Sequence, residues 1–221
     1  MYKFQRPKTI SEEVYDYLRQ ELFAGRIEPG RWLREQEVAE ALQVSRTPVR
    51  EAIRRLAQEG LMDFSTNRGA QARPISLTEA EEVYAIRDRL EGMAAGLAAK
   101  NVSPQEVAGL REQLAFIAEL ADDDFVGQIR ADNAFHLSIA TLSGNELLAD
   151  MIQRLNDRVT RAKVITRDVN VTTLARGQHD FIVNAIAQAD EAAAEEAMRK
   201  HVQTNLQILR ERLAARPVAG R

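Results

Sequence analysis

The sequence predicts a mainly α protein in two parts, three helices and a small β-hairpin followed by an all-α bundle of six helices. Three observations carry this. Turn formers crowd residues 1–74, which hold four of the six Pro and four of the eleven Gly. Beyond them only Pro104 and Pro217 remain, and Ala, Leu, Glu and Arg dominate. Apolar residues recur at i, i+3 and i+4 in stretch after stretch, the spacing of helices with one buried face. A length of 221 residues accommodates two such domains with a proper core in the larger. The boundary is expected near Arg73–Ser76, giving domains 1–74 and 75–221.

The first helix is expected from Ser11, read as its N-cap, to Ala24, with Val14, Leu18 and Leu22 on the buried face. GRIEPGRWL breaks it. A short helix follows over Glu35–Leu42, with Val38, Ala39 and Leu42 on one side. After a turn at Gln43–Val44, Ser45 is placed as the cap of a third helix that runs to Glu59 and closes at Gly60. LMDFSTNRGAQARP then reads as two short strands around a turn-rich tip, Ser65–Gly69. Three helices and a hairpin in this order are the layout of a winged helix-turn-helix.

Composition excludes several classes. Hydrophobic residues are 45% and charged residues 29%, which rules out a wholly disordered chain. The lack of Cys removes disulfides, thiolate metal ligands and cysteine nucleophiles. No apolar run approaches the ~18 residues of a membrane helix, and MYKFQRPKTI has no signal-peptide core. A cytoplasmic location with no membrane partner is therefore expected. The net charge of −3 hides an asymmetry: residues 1–74 carry 13 Lys and Arg against 11 Asp and Glu, the remainder 17 against 22. A basic face in the first domain remains compatible with nucleic acid, because steering depends on where charges sit.

The third helix supplies such a face. Val49, Ile53 and Leu56 form its buried stripe, whereas Arg46, Arg50 and Arg54 recur every four residues on another side. Guanidinium groups bind a guanine edge or a phosphate, and a correct base contact gives ~1–3 kcal/mol of discrimination. Ser45 and Thr47 stand at the start of the helix, where hydroxyls and backbone N–H groups meet phosphate. Three arginines on an arbitrary helix are usually only a solvated face; the helix-turn-helix spacing and the trailing hairpin favour DNA.

The stretch LREQEVAEALQVSRTPVREAIRRLAQEGLM, Leu33–Met62, resembles the signature of the GntR family of bacterial transcription regulators, and GRIEPGRWL before it fits the same pattern. The resemblance covers residues 10–74. It implies a DNA-reading winged helix with Arg34, Ser45, Arg46, Thr47 and Arg50 near the operator, Arg54 sharing their face. Arg68 and Gly69 become the wing tip at the minor groove, Gly allowing close backbone approach.

In the second domain, helices are expected over Leu77–Lys100, Ser103–Ala121, Asp124–Leu142, Asn145–Ile165, Thr173–Gln188 and Glu191–Ala214. Asn145 is read as an N-cap, and Pro104 after Ser103 suits a first helical turn. Polar residues interrupt the apolar stripes. The third of these helices gives Ile129, Asp132, His136, Ile139; the fifth Ala175, His179, Ile182, Ile186; the sixth Met198, His201, Asn205, Ile208. All three histidines of the chain thus fall on core-facing stripes, together with an Asp. A buried carboxylate needs compensation. A divalent metal held by neutral imidazoles and one carboxylate provides it, and a metal-free Asp–His hydrogen-bond network is the alternative. In the first helix the stripe Val83, Arg87, Leu90, Ala94, Leu97 carries a guanidinium that needs an anion, either an internal Asp or Glu or a bound carboxylate.

EEVYAIRDRLEGMAAGLAA, ADNAFHLSIATLSGN, QHDFIVNAI and AMRKHV resemble the ligand-sensing helical domain of the FadR subfamily, called FCD. The resemblance implies metal ligation by Asp132, His136, His179 and His201, with zinc or nickel as the metal. It also implies a small organic acid as effector, its carboxylate meeting Arg87. Asn205 is a further effector-binding candidate by spacing alone. Six helices resemble the shorter, VanR-like branch more than FadR itself, so an acyl-CoA effector is not expected. The expectation is a homodimeric repressor that binds an inverted-repeat operator in double-stranded DNA and answers to a carboxylate metabolite at the metal site. The alternatives are a regulator whose metal is itself the signal and a metal-dependent enzyme. The enzyme is disfavoured because no further His or Cys is left for acid–base or nucleophilic work.

Overall fold

A computed structural model describes residues 8–28, 30–65, 68–73, 76–121, 124–166 and 173–214. The chain divides into two compact units, Met1–Pro74 and Ile75–Arg221.

The first unit begins with α1 (Ile10–Phe23), which starts one residue before the expected cap. Thr9, not Ser11, is the N-cap. Its hydroxyl accepts from the Glu12 N–H while the Glu12 carboxylate accepts from the Thr9 N–H, closing a capping box that Ser11 cannot form from inside the helix. α1 buries Val14, Leu18 and Leu22 against Val49, Ile53 and Leu56 of α3 (Arg46–Gln58). α2 (Glu35–Leu42) ends with Gln43 in the left-handed region, φ 55°. The GRIEPGRWL segment does more than break a helix: Trp32–Leu33 form β1, and the sheet has three strands rather than two. Its order is β1-β3-β2, with β2 (Met62–Ser65) and β3 (Gly69–Ala72) antiparallel and Trp32 facing Gln71 in β1. Two-residue β1 carries too little alternation to be legible as a strand.

Ser45 stands at the N-cap of α3, but its hydroxyl makes no cap hydrogen bond. The reason is local. The third helical residue is Pro48, which has no N–H to offer, so one of the two usual partners of a capping oxygen is missing.

The second unit contains six helices among the described residues: α4 (Leu77–Asn101), α5 (Pro104–Glu119), α6 (Phe125–Leu142), α7 (Glu146–Thr166), α8 (Thr173–Ala187) and α9 (Glu191–Ala214). Ser103 forms a capping box with Glu106 ahead of Pro104, and the Leu148 N–H donates to Asn145 Oδ1 as expected of an N-cap. α4 is the central helix. It packs along α9 on one side and against α6 and α7 on another. Small residues make the α9 contact close: a Cβ at Gly92 would lie 2.6 Å from Arg199 Cγ, and one at Gly96 3.2 Å from the Glu191 carbonyl oxygen. Because α4 is covered on two sides, Glu91 is buried in place of the expected Leu90, and Leu90 and Leu97 are only half-buried. On α9, Leu209 rather than Ile208 is fully buried. No described helix is long and apolar enough to cross a membrane.

Candidate functional site

In the first unit α3 presents Arg46, Arg50 and Arg54 to one side, as their spacing requires, while Val49, Ile53 and Leu56 are wholly buried on the other. The three arginines line a cleft of about 410 Å³ together with Arg34, Arg68 and Gly69, so one concave basic surface gathers residues from helix, turn and wing. Ser45 and Thr47 are exposed at the start of α3 but do not line that cleft. Thr66 and Asn67 of the expected wing tip lie outside the described residues.

The cleft also holds an anion that sequence reasoning did not single out. Glu35, buried at the first position of α2, accepts from Arg50 Nε at 3.0 Å and Nη2 at 2.8 Å. Arg46 Nη2 lies 3.6 Å from the same carboxylate. The hydrogen bond from Arg50 holds the Glu35 carboxyl below its ordinary range despite burial. Arg50 is therefore aimed by α2 instead of swinging in solvent. Gly69 has φ +94°, and a Cβ there would lie 2.2 Å from the Leu33 carbonyl oxygen. Only glycine fits, because β3 begins there against the end of its antiparallel neighbour β1. The Arg68 guanidinium stands 5.9 Å from the centre of the Trp32 ring.

In the second unit, α6, α8 and α9 bring together the residues that the stripes singled out. One donor atom each from Asp132, His136, His179 and His201 lies within 4.8 Å of every other, and all four residues are buried. His179 Nε2 is 3.2 Å from His201 Nε2 and 3.4 Å from Asp132 Oδ1, and His136 Nε2 is 3.9 Å from Asp132 Oδ1. Ligands ~2.0–2.2 Å from a common ion stand roughly 3–3.5 Å apart, so this set fits a divalent metal with little movement. The His201 Nδ1 pairs with Gln178 Oε1 at 3.1 Å, a partner that leaves the Nε2 lone pair pointing inward. The Asn205 Nδ2 donates to that same Nε2 at 3.0 Å. Neither ring nitrogen of His136 has a hydrogen-bond partner among the described residues. Its Nδ1 lies 2.7 Å from Glu91 Oε2, near in distance but misaligned for a hydrogen bond.

Burial pushes the His179 imidazole down to about 4 and the His201 imidazole well below its ordinary value, so both are neutral and ready as ligands at pH 7. Burial alone would raise Asp132; the Lys163 ammonium, 2.7 Å from its Oδ2, overcomes that and holds it ionised. Lys163 and Glu91 escaped the sequence analysis. Each had a signal: Lys163 continues the buried stripe Ile152, Asn156, Val159, and Glu91 lies one turn from Arg87. Glu91 answers part of the Arg87 question. Its carboxylate accepts from Arg87 Nε, and the Arg87 charge leads in bringing it down to about 2 against the cost of burial. Arg87 Nη1 and Nη2, wholly buried, have no hydrogen-bond partner among the described residues.

Comparison with known proteins fits both halves. Residues 10–71 match the bacterial regulatory proteins of the gntR family, and residues 82–204, more than half the chain, match the FCD domain. The chain belongs to the GntR family, in its FCD-bearing branch. Relatives include the Nta operon transcriptional regulator of Aminobacter aminovorans, 33% identical with 82% of this chain and 88% of that protein covered. The HTH-type transcriptional repressor RspR of Escherichia coli (strain K12) is 30% identical over 88% of this chain and 86% of its own. Among solved structures, E. coli McbR/YncC superposes with a TM-score of 0.79 at 26% identity, covering 94% of this chain and all of that one. This GntR protein is thus a DNA-binding transcription regulator and not an enzyme, with the winged helix-turn-helix and helical domain that its sequence predicts.

Proposed function

We propose that this GntR protein is a homodimeric repressor whose operator affinity is set by a small carboxylate bound at a metal site in the helical domain. The observation that carries the reading is Arg87. Its two terminal nitrogens are buried without a partner on α4, the helix whose Glu91 abuts His136 of the four-residue donor set. Asp132, His136, His179 and His201 would hold zinc or nickel, supplying a Lewis-acidic positive charge for an anionic effector. Arg87 would take the effector's carboxylate and Asn205 would line the same space. Arg34, Arg46, Arg50, Arg54, Arg68 and Gly69 form the surface offered to the two grooves, with Ser45 and Thr47 meeting phosphate at the start of α3. Exposed Ile86 and Met93 on α4, and Leu147 and Met151 on α7, flank the buried cluster of Ala94, Leu148 and Ile152, an apolar face suited to a second copy. A twofold dimer reads an inverted repeat. Release requires unequal affinity of the effector for the two states; a typical coupling of ~1–3 kcal/mol changes operator binding 5–150-fold.

The test is an operator titration by fluorescence anisotropy, on an inverted repeat selected from random DNA, with zinc-loaded chain and a panel of small organic acids. At least one acid is expected to weaken binding in the wild type and to lose that effect in His136→Ala, which should retain less zinc. Zinc retained in full by the variant, or operator binding that follows zinc alone, would overturn the reading, the second in favour of a metal-responsive regulator.

A further inference from the structure

One buried side chain stands outside every contact described so far. Asn156 on α7 is 2% exposed, yet neither its Nδ2 nor its Oδ1 has a hydrogen-bond partner among the described residues. A buried amide left unpaired on both atoms costs folding free energy, and such groups in native proteins call for an explanation.

Its place in the bundle supplies one. α6 and α7 lie side by side and run in opposite directions: Ala140 and Ile152 share one apolar cluster, and farther along Lys163 binds Asp132. Asn156, one turn from Ile152 toward Lys163, therefore falls at the level of His136. α4 runs parallel to α6, with Glu91 against His136 and Ala94 in the cluster of Ala140. Asn156 is thus level with Glu91, and Arg87 lies one turn farther along α4. Two orphaned polar groups, one cationic and one neutral, occupy neighbouring levels of the same buried core.

Their chemistry differs in a way that specifies a ligand. The terminal nitrogens of Arg87 only donate, and suit a carboxylate. The amide of Asn156 donates from one atom and accepts at the next, and a hydroxyl, itself donor and acceptor, satisfies both. We propose that the effector is a hydroxy acid, with its carboxylate on Arg87 and its hydroxyl read by Asn156. This rests on the carboxylate-effector reading above.

The experiment compares acids that differ only in the hydroxyl, by calorimetric titration of the zinc-loaded full chain: glycolate with acetate, lactate with propionate, malate with succinate. In at least one pair the hydroxy acid is expected to bind at least about tenfold more tightly, since the acid lacking it leaves the amide unpaired. Asn156→Leu keeps the shape and removes both polar atoms, so it should bring that ratio to about one while the deoxy acid still binds. Its melting temperature without ligand should not fall, because no protein hydrogen bond is lost; a substantial fall would assign Asn156 a structural role and overturn the proposal. Equal binding within every pair, or discrimination that survives Asn156→Leu, would overturn it and leave the carboxylate reading intact. No binding by any of these acids would overturn both.

Discussion

Lys163 shows how much of the proposed metal centre depends on one residue outside the donor set. Its ammonium is buried and bound to Asp132 Oδ2, and the Asp132 charge holds it protonated against burial. Lys163→Met should leave the metal-free chain with an uncompensated buried carboxylate, costing roughly 3–5 kcal/mol. Thermal unfolding checks this, and added zinc should raise the melting temperature of the variant more than that of the wild type, because a divalent ion replaces the missing charge. An unchanged metal-free melting temperature would show that the Asp132 charge is balanced elsewhere. The donor set was legible in the sequence for a simple reason: Asp132 and His136 lie one turn apart where apolar residues belong, and the other histidines repeat that pattern. Lys163 was less legible, since a long side chain near a stripe ordinarily reaches solvent. Asn156 lies on the same buried stripe as Lys163, but its lack of partners was not legible, because periodicity says which side chains face inward and not which of them find partners.

Among elements, α2 and α3 act as a unit through Glu35. The carboxylate grips the guanidinium of Arg50 through two nitrogens and draws on Arg46, so the arginines proposed to read DNA are ordered within the chain itself. Glu35→Gln keeps the shape and removes the charge. It should leave the fold intact and weaken operator binding roughly tenfold, within the range of one lost base contact. Anisotropy titration with matched circular dichroism checks it; an unchanged or tighter operator complex would show that Glu35 restrains Arg50 instead of aiming it. The helix-turn-helix was legible because its apolar and basic faces separate cleanly along α3. The Glu35 contact was not, because it joins residues 15 apart whose geometry depends on the turn at Gln43. Ser45 holds the cap position expected of it, but proline at the third residue after it removes one of the two N–H groups that a capping hydroxyl accepts from.

For the molecule as a whole, the neutral histidines couple stability to pH. His179 has an ordinary value of 6.5 in the unfolded chain and about 4 in the fold, and His201 is lowered too. Between those values the unfolded chain takes up protons that the folded chain refuses, so metal-free stability falls as pH drops from 6.5 toward 4. Glu91 and Asp132, depressed in the fold, act in the same direction at lower pH: their contribution is present above the unfolded carboxylate values and is lost in stronger acid. Melting temperatures of metal-free protein should be nearly level from pH 8 to about 7 and decline below 6.5. A plateau down to pH 5 would mean that the imidazoles are protonated in the folded chain.

The close seam between α4 and α9 has a consequence for what variation the protein tolerates. Gly92 carries no functional group, yet the space its side chain would need is occupied by the stem of Arg199, whose Nε is bound to Asp88 on α4. α4 brings Arg87 and Glu91 to the buried polar core; α9 brings His201 and Asn205. A single methyl group at Gly92 would force the Arg199 stem to move, and with it the guanidinium that ties α9 to Asp88 on α4. A position that contributes no atoms to the chemistry thus supplies something the seam needs, the room left by a hydrogen in which the stem of Arg199 lies.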